Sequence, residues 1–338
     1  MSNAILQIVP LGFPWATLDP FLFCVHHNDA YPRGDDAMAP ATSLAGRNLG
    51  MDFEGKDGWS MYHGRQVPGF PRHPHRGFET ITVVRRGFID HADSLGATAR
   101  FGAGDVQWMT AGAGIEHCEM FPLRERDKDN PLELFQIWLN LPAKSKMVTP
   151  YFSMLWNERI PRIQVNEGSG VVDVKVVAGA LGDASPLAPP PDSWASDPAS
   201  DIAVWTMTFS PSSSMTLPPA PPTANRMLYV FEGDAVVVDG VAVAAGHGVH
   251  LSPEAPVVVQ SGKDGADMLL LQGSPIGEPV VQHGPFVMNT KAEILQAMHD
   301  YQRDTFGLKW PWGKDDPVHR REEGRFALHP DGKKDVPT

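Results

Sequence analysis

Two short runs carry the reactive chemistry of this chain, His73-Pro74-His75 and His117-Cys118-Glu119. In an extended strand, successive side chains point to opposite faces. His73 and His75 therefore share a face, and so do His117 and Glu119. On neighbouring strands the two pairs would present three imidazoles and one carboxylate to a single point. That donor set suits a divalent transition metal and leaves positions open for exchangeable ligands. Glu79 is a rival carboxylate. It lies four residues after His75, so a regular strand would put it on the same face, as a ligand or as a group that orients one. Cys118 points the other way by the same alternation and reads as a small buried apolar side chain.

Positioning these pairs takes a scaffold of short strands. Gly and Pro number 32 each and fall between short apolar runs, the pattern of an all-β protein with many turns. Strands are expected at Ile5 to Val9, Phe78 to Val84, Phe88 to His91, Ala99 to Phe101, Val106 to Met109, Ile115 to Met120 and Leu132 to Leu141. Turns every 8–12 residues or so indicate a sandwich or a barrel, and closing the sheet leaves a cavity at its mouth. Trp108, Met109 and Phe135 could wall such a cavity, though each reads individually as core. Residues 30–72 read as a long surface excursion with little periodicity. Near its end His63 could line an entrance, and as a single residue it reads as a solvated loop histidine. His91, His247, His250, His283, His299, His319 and His329 are scattered and are assigned to surfaces or ordinary hydrogen bonds.

From about residue 150 the strand pattern restarts, with runs at 171–178, 202–209, 227–231, 234–238, 248–251, 256–260 and 267–272. The units Val84-Arg85-Arg86-Gly87-Phe88-Ile89 and Val230-Phe231-Glu232-Gly233-Asp234-Ala235 can be superposed, a weak internal repeat. The second half has no His-x-His or His-x-Glu, so only the first can hold this metal site. Thr290 and Glu293 form a capping box, followed by Ile294, Leu295, Met298 and Tyr301 at helical spacing. The helix should end near Gly307, and an extended tail should follow, held by Trp310 and Trp312. With 338 residues, two domains are expected, cut at 1–150 and 151–338.

A net charge of −12 argues against direct nucleic-acid binding, which needs a basic surface. No apolar run reaches the roughly 20 residues of a membrane span. The N-terminal stretch lacks the basic and apolar regions of a secretory signal. The two cysteines, Cys24 and Cys118, do not suggest a disulfide, and a cytoplasmic location is expected.

The run Gly69 to Thr80 resembles the first motif of the cupin superfamily in its pirin form, and Asp105 to Met120 resembles the pirin second motif. Gly284 to Thr290, with the helix after it, resembles the pirin C-terminal segment, and Asp316 to Ala327 resembles bacterial pirin-like proteins. Two departures from the general cupin pattern, one extra residue between Glu79 and Gly87 and Thr110 in place of a proline, fit the pirin variant. The resemblance implies a bicupin, two jelly-roll β-barrels facing each other with one metal in the N-terminal barrel. It matches the family's four ligands to His73, His75, His117 and Glu119. Many cupins take their carboxylate from the first motif, where Glu79 stands, whereas pirins take it from the second, at Glu119. The implied metal is Fe(II), although the ligand set also admits Ni, Co, Mn or Cu. The implied activity is quercetin 2,3-dioxygenation, with a flavonol-like substrate, O2, and Glu119 as the base. The alternative is a non-enzymatic, metal- or redox-responsive regulator that binds a protein partner. An open, apolar-walled pocket above the metal would favour the enzyme, and a site closed by residues 30–72 or by the tail would favour the regulator.

Overall fold

Period-two alternation of apolar residues builds a set of antiparallel sheets in the computed structural model, which describes residues 4–338. They group into two compact units, one formed by Met1–Val25 and Glu158–Gly277, the other by His26–Asn157 and Glu278–Thr338. The cut expected at 150/151 lies close to the Asn157/Glu158 boundary, but the chain ends are exchanged. Strand pairing is the reason. Ile5–Pro10 pairs antiparallel with His247–Leu251, and Phe326–Leu328 pairs antiparallel with Thr98–Gly102.

In the unit carrying the histidine pairs, a five-stranded sheet contains Tyr151–Leu155, Val106–Thr110, Phe78–Arg86, Asn130–Asn140 and Phe21–Tyr31, in that order. A six-stranded sheet runs Lys334–Asp335, Phe326–Leu328, Thr98–Gly102, Phe88–Asp93, Ile115–Met120, Gly69–His75. The His-Pro-His strand is an edge of this sheet. That suits Pro71 and Pro74, which have no N–H for a second neighbour. The other unit is built likewise, with a seven-stranded and a five-stranded sheet around a core of Val172, Trp205, Met207, Leu228, Val249, Leu270 and their neighbours. Its strand Ser213–Leu217 follows a serine run, and only Met215-Thr216-Leu217 shows apolar alternation, with Met215 and Leu217 in the core.

Residues 30–72 are less of a surface excursion than their composition suggests. Trp59, Met61 and Tyr62 are buried in an apolar cluster with Phe101, Phe121 and Leu134. Buried hydrogen bonds fix the backbone here: the Tyr31 hydroxyl donates to Ser60 O at 2.6 Å, and Ser60 N donates to Asp29 at 2.9 Å. The helix Lys291–Gln302 carries the expected capping box and buries Ile294 and Ala297, while Leu295 is 66% exposed. It stops before Gly307. Trp310, Trp312 and Val318 hold the tail against Val67, Ala92, Cys118 and Met120. Both cysteines are free and buried. Among the described residues, no helix is long and apolar enough to cross a membrane.

Candidate metal centre

His73 stands directly opposite His117 in the register of Gly69–His75 with Ile115–Met120. Directly opposed residues share a face, so alternation brings His75 to the same point. The ring centroids form a near-regular triangle: 4.4 Å from His73 to His117, 4.8 Å from His73 to His75 and 4.9 Å from His75 to His117. One nitrogen from each ring lies within 4.8 Å of the other two. His117 is fully buried and neither of its ring nitrogens has a hydrogen-bond partner; Nδ1 of buried His75 has none either. Buried polar atoms are normally paired, so these nitrogens fit a group that takes lone pairs. His73 Nδ1 lies 2.9 Å from Pro71 O; donating its proton there leaves Nε2 as the free lone pair.

Burial keeps the three imidazoles neutral. It lowers His73 to about 4, against the opposing hydrogen bond to Pro71. His75 and His117 fall well below the ordinary histidine value, first through burial and then through the neighbouring imidazoles. Neutral imidazole is the metal-binding form, so the donor set fits a transition metal.

Glu119 lies on the same strand as His117 but is not one of the three clustered donors. Thr82 Oγ1 donates to its Oε1 at 3.0 Å, and Gln136 Nε2 donates to its Oε2 at 3.2 Å. Thr82 also lies 2.7 Å from Gln136 Oε1, so its single proton has two acceptors. Burial raises the pKa of Glu119, while the electrostatic interaction with His91 and the Thr82 and Gln136 hydrogen bonds oppose that rise.

Glu79 faces away from the histidines. Gly77, at φ +85°, breaks the alternation after His75, and a Cβ there would fall 2.0 Å from Val287 O. The strand restarts at Phe78, which puts Phe78, Thr80 and Thr82 on the site face. Glu79 points to the other side, where Thr110 donates to it at 2.7 Å. Trp108 and Phe135 lie on that opposite face as core, whereas Met109 shares the site face with Thr80. Cys118 points into the apolar cluster under the tail. His63 is exposed at the rim, its ring 5.7 Å from that of Phe70.

Three contributors were not evident from the sequence. Gln136 and Thr82 hold Glu119, and a lone glutamine in the apolar run Leu132 to Leu141 was the available signal. His91 takes the hydrogen-bonded of its two expected places, buried at 5.5 Å ring-to-ring from His117. Its Nε2 pairs with Asp93 at 3.0 Å and its Nδ1 with Gln107 at 3.2 Å. On the approach side His73, Gln136, Phe70 and Trp138 are half-buried, and the Trp138 ring lies edge-on to His75 at 5.4 Å.

Known proteins resemble this chain along most of its length. The sequence profile of the family described as Pirin matches residues 47–139, and that of the Pirin C-terminal cupin domain matches residues 204–307. Pirin-1 of Arabidopsis thaliana is 41% identical over 71% of this chain and 79% of its own. The chain belongs to the pirin family. It is thus an all-β protein with two cupin domains, and its histidine cluster lies within the first matched span. A Pseudomonas aeruginosa pirin relative that bears a provisional quercetin 2,3-dioxygenase name is 35% identical, covering 72% of this chain and 80% of its own. The crystal structure of a quercetin 2,3-dioxygenase from Acinetobacter baumannii superposes with a TM-score of 0.71 at 27% identity, covering 91% of this pirin and 99% of that chain.

Proposed function

We propose that this pirin is a metal-dependent dioxygenase that opens the flavonol ring of quercetin with O2 and releases carbon monoxide. His73, His75, His117 and Glu119 would hold one divalent metal, Fe(II) in the first instance. A bound metal supplies Lewis acidity and a template for both reactants. The observation that carries this reading is the triangle of neutral imidazoles, of which the buried His75 and His117 carry unpartnered nitrogens. Glu119 is the one carboxylate joined to the site face by hydrogen bonds from Thr82 and Gln136. Its role here is to accept the proton of the flavonol 3-hydroxyl, and its two donors set its orientation. Phe70 and Trp138 offer aromatic surface on the approach side, which suits a flat polyphenol.

The test is aerobic turnover of quercetin by iron-loaded protein, read by loss of flavonol absorbance and by carbon monoxide release. Glu119→Ala and His117→Ala are run alongside. Turnover by the parent alone supports the assignment. Stoichiometric metal without turnover overturns it and leaves a metal-dependent binding protein or an enzyme for a different substrate.

A further inference from the structure

The unit formed by Met1–Val25 and Glu158–Gly277 has a buried charge of its own. On the strand Asn225–Gly233, Leu228 and Val230 point into the core, and alternation puts Arg226 on the same side. Arg226 is fully buried, and none of its three guanidinium nitrogens has a hydrogen-bond partner. Burial lowers its pKa to about 10, which still leaves it charged at neutral pH. An unpaired charge in an apolar interior is strongly unfavourable, so the side chain calls for an anion.

A cavity lies further along the same row of the sheet, beyond Gln272. Arg226 is opposite Gln272, and Gln272 is opposite Ala203, in one row across three strands. Gln272 and Ala203 line a cavity of about 340 Å3, together with Trp205, Ile202, Pro219 and Asp201. Gln272 separates the cavity from Arg226 in this row. Its amide is held by one long hydrogen bond, 3.3 Å to Asp201 O.

We propose that this cavity binds a small monocarboxylate with an apolar body, its carboxylate pairing with Arg226 once the Gln272 amide turns aside. The planar guanidinium matches a carboxylate through two parallel hydrogen bonds. Trp205, Ile202 and the proline-rich wall contact the apolar body. Asp197 and Asp201 also line the cavity, and their negative charge discriminates against multiply charged anions such as phosphate.

Calorimetric titration of the full chain with benzoate, and separately with inorganic phosphate, tests this. Benzoate is expected to bind once per chain, and Arg226→Met to weaken it by at least about tenfold. Arg226→Lys keeps the charge without the fork and should fall between the two. Arg226→Met removes an uncompensated charge, so it is expected to melt no lower than the parent. His117→Ala should bind benzoate as the parent does, which separates this site from the histidine cluster. Absence of benzoate binding, equal binding by Arg226→Met, or displacement of benzoate by phosphate overturns the proposal.

Discussion

Replacing His117 by leucine should have opposite effects on stability with and without metal. In the metal-free protein this side chain is fully buried, neutral, and without a hydrogen bond at either nitrogen. A buried unsatisfied polar group costs about 1–3 kcal/mol. Leucine is close in volume and leaves little cavity. Removing both nitrogens should therefore stabilise the metal-free protein by about 2 kcal/mol. For a unit of this size that is a rise of roughly 4–8 °C in melting temperature. Metal at a hundred times its dissociation constant should stabilise the parent by about 2.7 kcal/mol and the variant hardly at all. The order of melting temperatures then closes or inverts on adding metal. Differential scanning calorimetry, with and without metal, reads both. If metal-free His117→Leu melts below the metal-free parent, the idea that the histidine nitrogens are held unpaired for a ligand is refuted.

Other perturbations have equally definite outcomes. Burial pushes the Glu133 carboxyl up, but His26, Arg85 and Arg86 outweigh it and bring its pKa from 4.5 to about 2. A depressed carboxylate stabilises the fold above about pH 4.5 and loses that contribution as pH falls towards 2. Because Arg85 and Arg86 are partly exposed, about 2 kcal/mol is expected after screening. Urea unfolding of Glu133→Gln should show that deficit at pH 7 and a shrinking one below pH 4.5; a deficit independent of pH counts against the ion pairs. Thr82→Val removes the hydroxyl that reaches Glu119 and should weaken metal binding by about 10- to 100-fold in a chelator-competition titration; unchanged affinity would exclude Glu119 as a ligand positioned by Thr82. Buried Arg100 pairs with Asp90 and donates to the carbonyls of His319, Arg320 and Glu323. Arg100→Met should cost about 3–5 kcal/mol by leaving the buried Asp90 carboxylate without its counter-ion, with the His319 N–H still donating to it. It should also make the 316–338 tail newly sensitive to protease.

The histidine cluster was legible because it rests on strand alternation, a purely local property. Two i, i+2 pairs and an antiparallel register suffice to gather three rings. The same rule misled for Glu79, because one glycine at positive φ resets the phase of every side chain after it. The partners of Glu119 come from strands that are distant in sequence, and only the register brings Thr82 and Gln136 to it. The cap of the helix at Lys291 was readable from Thr290 and Glu293. Its buried face was read less well, since Ala297 packs inside while Leu295 does not. The exchanged chain ends left no local trace, because the pairing of Phe326–Leu328 with Thr98–Gly102 spans more than two hundred residues.

That exchange determines what a ribosome releases, and in what order. The three clustered histidines are all made early, but the tail segment that packs on their unit is made later. At ordinary elongation rates the gap between Asn157 and the tail is on the order of ten seconds. During that time Cys118, Met120, Val67 and Ala92 lack the cover that Trp310, Trp312 and Val318 later provide. The nascent protein thus carries an uncovered apolar patch with a thiol in it, open to chaperones and to oxidants. Closing so long a loop is also slow. The finished site is consequently a property of the whole chain, and a fragment ending before Glu278 would contain every candidate metal ligand without the wall behind them.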